Sequence, residues 1–197
     1  MADEPEVPED LHLVESFTNS VDVDSAQDDL DSPARFGRWL TAHGFPGAPP
    51  GPAELDLARA VRAALRDDLA GHDRHAGAHD PGDARARLDE LAGQLPLRVT
   101  FGPAAGPAAG SAAGSAAGFA PAPGLRGAHA MLAQVLAAVV LAERAGTWHR
   151  LKLCRADDCQ VVYFDRSKNT SKAWCSMEGC GNRAKTRAYR GRRSSQG

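Results

Sequence analysis

Residues 151–193 read LKLCRADDCQVVYFDRSKNTSKAWCSMEGCGNRAKTRAYRGRR, and this stretch holds every cysteine of the 197-residue chain. The cysteines form two pairs with four residues inside each pair and fifteen between the pairs: Cys154 and Cys159, then Cys175 and Cys180. Zinc prefers four tetrahedral thiolate or imidazole ligands, and two short pairs supply them because each pair wraps one side of the ion. The spacing therefore predicts one structural Zn²⁺ per chain, held by these four cysteines.

Disulfides and free buried thiols are the other states that the cysteines could adopt. The first ten residues, MADEPEVPED, lack the basic and apolar regions of a secretory signal peptide. The apolar segment 128–142 is shorter than a bilayer span, so we expect a cytoplasmic protein without a membrane partner. Disulfides are rare in that compartment, which favours metal ligation. A catalytic zinc is disfavoured because four thiolates leave no coordination position for water.

Charge is divided unevenly along the chain. Residues 147–197 carry 12 Lys/Arg against 4 Asp/Glu, a net charge of +8, whereas residues 1–146 carry 11 against 21, a net charge of −10. Basic side chains bind phosphates by charge and by counterion release, without choosing a sequence. We therefore predict nucleic-acid contacts, with DNA favoured over RNA, at basic residues in and after the cysteine segment: Arg166, Lys168, Lys172, Arg183, Lys185, Arg187, Arg190, Arg192 and Arg193.

Aromatic side chains could add to such contacts, since Tyr189, or Tyr163 if it is exposed, could stack on an unpaired base. The alternative to nucleic acid is an adaptor whose basic finger docks an acidic partner or the acidic part of its own chain. The oligomeric state stays open.

The segment before the cysteines predicts a helical body. Apolar residues at helical spacing predict a helix from Ser32, as N-cap, to Gly44, and two more at about 53–71 and 83–94. The Ala-rich segment 125–145 predicts the central packing helix.

Strand signals in the body are short. Residues 11–23 alternate partly and predict a strand, and residues 97–101 and 118–122 predict a hairpin. The connection of that hairpin is a low-complexity loop of Gly, Ala, Pro and Ser at 102–117.

The fifteen residues between the cysteine pairs predict a second hairpin. Residues 160–164 are β-prone, residues 165–169 are polar and turn-like, and residues 172–174 could return as the second strand. A helix is expected after Cys180. Burial of Tyr163, Phe164 and Trp174 against the metal site would give this small module its core.

These elements predict an α+β fold with four segments. A disordered leader (1–9) precedes an α-rich body (10–146), a treble-clef-like or zinc-ribbon-like four-cysteine finger (147–193) and a disordered tail (194–197). Nothing in the body forms a nucleotide-binding glycine loop, a nucleophile elbow or a paired-carboxylate signature, so we expect no enzyme. Extreme Ala, Arg and Gly usage resembles that of GC-rich bacterial genomes.

Histidines outside the cysteine segment suggest a second metal site at first sight. His72, His75 and His79 follow an i, i+3, i+7 spacing, which places side chains on one face of a helix. Gly77 and Pro81 interrupt that helix, so we interpret the segment as a solvated loop.

Three runs of residues resemble the CGNR zinc finger: Cys154-x4-Cys159, the run WCSM at 174–177 and the run CGNRAK at 180–185. In that family the finger typically follows an ABATE domain, whose opening is resembled more loosely by LHLVESFTNSVD at residues 11–22. The family's LxxxFxNT-like pattern stands here as LVESFTNS at 13–20, with Ser20 in place of Thr. The resemblance implies a stress-induced transcription regulator that binds DNA or RNA. Our hypothesis is that the acidic body of such a regulator senses a small-molecule effector or mediates assembly.

The tetrapeptide itself indicates local roles. Gly181 lets the backbone turn tightly beside a ligand cysteine. Asn182 could hydrogen-bond a free backbone group or cap the following helix. Arg183 could reach a phosphate, or it could pair with Asp157 or Asp158 inside the finger.

Overall fold

A computed structural model describes residues 6–72, 81–101 and 117–194. Within these ranges the helices are α1 (Glu9–Thr18), α2 (Pro33–Ala42), α3 (Pro52–Ala70), α4 (Pro81–Ala92), α5 (Gly127–Arg144) and α6 (Asn182–Ser194). The strands form antiparallel hairpins: β1 (Val21–Asp22) with β2 (Gln27–Asp28), β3 (Leu97–Phe101) with β4 (Ala117–Pro121), and β5 (Leu151–Leu153) with β6 (Val162–Phe164). The predicted α+β class is confirmed.

Several predictions concern parts of the chain outside these ranges. They are the first five residues of the leader, the low-complexity loop up to residue 116, the tail at 195–197, and His75 and His79. The side chains of Tyr189, Arg192 and Arg193 are also outside the description, although their backbone belongs to α6.

Helix α1 stands where residues 11–23 predicted a strand. Its buried side chains Leu11, Val14 and Phe17 recur every three residues and have no exposed surface. Only the two residues of β1 pair as a strand. The strand prediction was wrong because the apolar residues of this segment fit both the alternation of a strand and the spacing of a helix. Burial of one helical face against the core selects the helix.

The next helices follow their predicted start and stop signals. Ser32 caps α2, and its hydroxyl accepts a hydrogen bond from the Arg35 N–H at 3.4 Å. Gly44 has a φ of +83°, the left-handed conformation that commonly follows the end of a helix. Helices α3 and α4 lie near their predicted bounds and pack against each other.

Helix α5 is the central packing element, as predicted. Helices α1, α2 and α3 and strand β4 contact it, and Met131, Leu132 and Val135 have no exposed surface. At 18 residues α5 is long and apolar enough to cross a membrane by length and composition alone, but the core helix of a soluble protein meets the same test. Its contacts with four elements are those of a core helix.

Strand β6 pairs with β5, which precedes the first cysteine pair, and not with residues 172–174 as predicted. Leu151 lies opposite Phe164, and Leu153 lies opposite Val162. The β-prone run was recognised, but its partner was wrong because the segment between Cys154 and Cys159 itself provides the turn between the two strands.

The hairpin β5–β6 shares the core of the body. One hydrophobic cluster joins the helices to side chains of this region: Trp148, Leu151, Val162 and Phe164. The indole N–H of Trp148 donates a hydrogen bond to the buried carboxylate of Asp68 at 2.9 Å. The domain bounds stay a prediction, and the apolar core continues across the predicted boundary at residue 147.

Candidate metal centre and basic surface

The four cysteine sulfurs meet at one point of the finger. Cys154 directly follows β5, Cys159 lies in the turn before β6, and Cys180 lies in a π turn (Met177–Gly181) at the start of α6. All four sulfurs lie within 4.8 Å of one another, and Cys175 Sγ is 3.7 Å from both Cys159 Sγ and Cys180 Sγ. A zinc tetrahedron with Zn–S bonds of about 2.3 Å requires S–S separations of about 3.8 Å, whereas a disulfide requires about 2.05 Å. The four residues fit one structural Zn²⁺.

Zinc ligation requires deprotonated thiols, and the surroundings affect the cysteines differently. Burial raises the pKa of Cys175, and hydrogen bonds with neighbouring thiols act in the same direction. Burial also opposes ionisation of Cys180, but hydrogen bonds from neighbouring thiols and the charge of Arg183 outweigh it and lower the pKa of Cys180. The Arg183 Nη2 lies 3.2 Å from Cys180 Sγ. Arg183 therefore offsets part of the negative charge of a thiolate cluster.

A small cluster of side chains surrounds the cysteines. Ala156 and Tyr163 are buried in it, and Trp174 packs against it. The Tyr163 hydroxyl donates a hydrogen bond to the Lys172 carbonyl at 2.8 Å. Tyr163 therefore lies inside the finger, where it cannot stack on a base. Phe164, predicted to belong to this cluster, instead packs in the core of the body because alternate residues of β6 point to opposite faces.

A buried ion pair shapes the loop between β6 and the second cysteine pair. The Lys152 Nζ donates a hydrogen bond to Asp165 Oδ2 at 2.8 Å, and both residues are buried. Asp165 also accepts hydrogen bonds from the backbone N–H groups of Ser167 and Lys172, both at 2.9 Å. Burial raises the pKa of Asp165, but Lys152 and these other hydrogen bonds outweigh it and lower that pKa. The pair fixes the path of residues 165–172.

Sequence reasoning missed both members of this pair. Lys152 lies between two leucines in β5. Because successive side chains of a strand point to opposite faces, burial of the leucines suggests that Lys152 is exposed. Asp165 follows a β-prone run and looks like a turn residue. No local signal shows that the two side chains meet in the interior.

The predicted nucleic-acid contacts fall into two groups. The loop carries Arg166, Lys168 and Lys172, and helix α6 carries Arg183, Lys185, Arg187 and Arg190; all of these residues are exposed. Lys168, Lys185 and Arg190 make no ion pair within the part of the chain that the structure describes. These exposed cations are free to meet an external anion.

Asp158 of the first cysteine turn neutralises part of α6. Its carboxylate accepts hydrogen bonds from Arg187 Nη2 at 3.1 and 3.2 Å, and its Oδ2 lies 3.7 Å from Arg183 Nε. Burial raises the pKa of Asp158, but the hydrogen bond from Arg187 and the positive charges of Arg183 and Arg187 together outweigh it and lower that pKa. Arg183 thus has the second of the roles that the sequence left open, a contact inside the finger.

Gly181 and Asn182 connect the π turn to α6. A Cβ on Gly181 would lie 2.8 Å from the sulfur of Met177 and 3.3 Å from Trp174, so lack of a side chain permits this close approach. Asn182 Nδ2 donates a hydrogen bond to the carbonyl of Glu178 at 3.3 Å. Both residues therefore contact the turn that contains Cys180.

The body contains a cavity of about 460 Å³ beside α1. At its wall the Ser16 Oγ lies 2.7 Å from His43 Nε2, and His43 Nδ1 lies 2.8 Å from the carbonyl oxygen of Trp39. Because a carbonyl can only accept, His43 Nδ1 carries a proton and donates to it, which leaves Nε2 for the hydrogen bond with the Ser16 hydroxyl. Asp10 and Gln134 also line the cavity, which therefore offers polar groups to a small ligand.

Comparison with known families agrees with this geometry. A family model described as "CGNR zinc finger" matches residues 150–193. A second model, ABATE, described as "Putative stress-induced transcription regulator", matches residues 11–150, more than two thirds of the chain. Neither description names an enzymatic reaction, and a search of curated proteins finds no match. The chain belongs to the ABATE family, and the CGNR zinc finger that follows its ABATE region holds one structural Zn²⁺ through four cysteines.

Proposed function

We propose that the finger binds nucleic acid, DNA in preference to RNA, and that the protein regulates transcription. A basic stripe on α6 carries the proposal: Arg183, Arg187 and Arg190 follow the spacing i, i+4, i+7 and share one exposed face. Guanidinium groups along an exposed helix suit a phosphate backbone, and the major groove of B-DNA, about 12 Å wide, admits an α-helix.

Two internal features support rigid presentation of these cations. The zinc ligand Cys180 lies in the turn from which α6 starts, so metal binding fixes the start of the basic helix. The Lys152–Asp165 pair holds the loop that carries Arg166 and Lys168. Preorganised groups lose less conformational entropy on binding. In this proposal Lys172, Lys185, Arg192 and Arg193 extend the same contact surface.

The ion pairs with Asp158 are compatible with phosphate binding. Arg187 is 56% exposed in its side chain and Asp158 is 45% exposed. Exposed ion pairs contribute little to stability, because solvent screens them and ordering of the side chains opposes them. A phosphate can therefore replace the carboxylate at little cost.

Single substitutions in the zinc-loaded full-length protein test this function. Arg190→Ala and Lys185→Ala should each weaken binding to a mixed-sequence DNA duplex, and each should reduce the slope of log affinity against log salt by about 1. Fluorescence anisotropy in a salt series measures both quantities. Arg38→Ala is the matched control, since it removes an exposed arginine from α2 of the body.

Three results would contradict the proposal. Binding that does not respond to salt excludes phosphate contacts, and an equal loss in Arg38→Ala excludes a specific role for the finger. Tighter binding of single-stranded RNA of the same length overturns the preference for DNA.

The adaptor function has one observation in its favour. Burial raises the pKa of Glu15 on α1, and the positive charges of His12 and of Arg166 in the finger act against that rise, so a basic residue of the finger lies close to an acidic residue of the body. Pull-downs from the native host with nuclease treatment distinguish the functions. Partners that stay bound after removal of nucleic acid favour the adaptor.

We also propose that the regulator acts in the bacterial cytoplasm, where its thiols stay reduced. A small-molecule effector would enter the cavity at Ser16 and His43. A thermal-shift screen with amino acids, amines and small sugars tests this site: a compound that stabilises the wild type but not Ser16→Ala supports it. Equal stabilisation of both proteins by every active compound contradicts it.

A further inference from the structure

The strand that leaves the first cysteine pair is held by a side chain 143 positions earlier in the chain. The Asn19 Nδ2 donates a hydrogen bond to the carbonyl oxygen of Val162, and its Oδ1 accepts one from the Val162 N–H, both at 2.8 Å. Asn19 itself is fixed because it ends α1, and its N–H bonds the Glu15 carbonyl. The amide of Asn19 thus pairs with the strand as a neighbouring strand would.

A second side chain of the body holds the residue next to the zinc ligand. The guanidinium of Arg66 on α3 donates from Nη2 to the Gln160 carbonyl at 2.9 Å and from Nη1 to the Thr18 carbonyl at 2.8 Å. Gln160 directly follows Cys159 and has a φ of +51°, a left-handed conformation that costs a residue other than glycine free energy. Such a conformation persists where surrounding contacts hold it, and Arg66 provides one of them.

We propose that Asn19 and Arg66 are positioning residues of the zinc centre: they hold the backbone after Cys159 in place and thereby slow the release of zinc. Within the described residues, the side-chain hydrogen bonds of Asn19 and Arg66 go to backbone groups of residues other than the ligand cysteines. Zinc leaves when ligand sulfurs separate, and the first pair can move away only if residues 160–162 move with it. Three hydrogen bonds from the body, two to Val162 and one to Gln160, oppose that movement.

The proposal is independent of nucleic-acid binding. It makes the body, and α1 in particular, a determinant of how long the finger keeps its metal. Residues of α1 both line the cavity and precede Asn19, so the same helix connects the two regions.

The rate of zinc transfer from the full-length zinc protein to an excess of a chromophoric chelator tests the proposal. Asn19→Ala and Arg66→Ala should each accelerate release about tenfold, the lower end of the effect of removing groups that orient metal ligands. Hydrogen exchange at the Val162 amide should accelerate in parallel. The matched control is Arg59→Ala, because Arg59 also lies on α3 and donates to two backbone carbonyls, those of Leu30 and Asp31, away from the finger.

If Asn19 and Arg66 only stabilised the body, then Asn19→Ala, Arg66→Ala and the control Arg59→Ala would all lower the stability of the fold and affect zinc release alike. If Arg59→Ala releases zinc as fast as Arg66→Ala, the proposal is overturned. Should Asn19→Ala fail to fold, Asn19→Asp replaces it, since a carboxylate keeps the acceptor for the Val162 N–H and loses the donor. Wild-type release rates in both Asn19→Asp and Arg66→Ala also overturn the proposal.

Discussion

The two cysteine pairs of the zinc centre are supported in different ways. Cys154 and Cys159 flank the turn of β5–β6, whose apolar side chains lie in the core of the body. Cys175 and Cys180 bracket the exposed residues 176–179, and the π turn there is closed by a 3.0 Å hydrogen bond from the Gly181 N–H to the Ser176 carbonyl. The first pair is built into a large core, and the second has little apolar support of its own.

This difference indicates how zinc contributes to folding. Small zinc modules have too little apolar interior to fold alone, so metal affinity becomes folding free energy. Here the body already stabilises half of the site. The metal therefore acts mainly on the other half, the segment that ends in the basic helix α6.

Zinc removal should produce the largest effect and would test the comparison directly. Binding of structural zinc contributes about 10–16 kcal/mol to the folding of isolated zinc-finger peptides. With chelator, or in Cys175→Ser, residues 173–190 should lose protection from hydrogen exchange by orders of magnitude, whereas β5–β6 and the helices of the body stay protected. Mass spectrometry of exchanged peptides measures both regions. Equal loss at residues 151–164 would show that the two pairs are supported alike.

The body, which supports the first cysteine pair, can itself be destabilised at an ion pair remote from the zinc. Arg62 on α3 donates to both carboxylate oxygens of Asp28 at 2.6 and 2.7 Å, and to the Ser20 hydroxyl at 2.9 Å. Burial raises the pKa of Asp28, but the hydrogen bonds from Arg62 and from the Leu30 N–H, together with the charges of Arg62 and Arg59, outweigh it and hold that pKa below its usual value of 3.8. A carboxyl whose pKa is lower in the folded state stabilises the fold above its unfolded pKa, and this contribution disappears as the pH falls through the folded pKa.

Asp28→Asn should therefore lower the free energy of unfolding by about 1.5–3 kcal/mol at pH 7, as expected for charged hydrogen bonds. The difference from wild type should shrink once the pH falls below about 3.8. Urea denaturation at a series of pH values measures it, and acid release of zinc affects both proteins because both keep the four cysteines. If the difference in the free energy of unfolding between wild type and Asp28→Asn stays constant with pH, ionisation of Asp28 is excluded as its source.

The smallest expected effect concerns the second pair. Ala at position 181 would place its Cβ 2.8 Å from the Met177 sulfur, the flexible end of an exposed side chain. Gly181→Ala should cost about 1 kcal/mol, because overpacking is partly relieved by movement of Met177. The loss should appear as faster exchange in residues 175–185 only. Adding Met177→Ala should restore part of the protection, and a double variant no better than Gly181→Ala would exclude this contact as the cause.

The parts of this molecule that were predictable from sequence have local causes. The zinc site follows from the spacing of the four cysteines, and α2 follows from Ser32 at one end and Gly44 at the other. The strand prediction for segment 11–23 was wrong because its apolar residues fit both a strand and a helix, and packing against α5 selects the helix. The partner of β6, the Lys152–Asp165 pair and the contact of Asn19 with Val162 join residues through the fold. A single sequence shows no pattern for such contacts.

In the part of the chain that the structure describes, the sheet β5–β6 has two strands, so both of its outer edges would normally present unpaired polar groups. The body covers them with side chains: Asn19 binds Val162 on the β6 side, and the His72 Nδ1–H donates to the Leu151 carbonyl at 2.8 Å on the β5 side. Uncovered strand edges are templates for pairing with another chain, which leads to domain swapping and aggregation. The contacts between body and finger therefore occupy edge groups of Leu151 and Val162 that a strand of a second molecule would need for pairing.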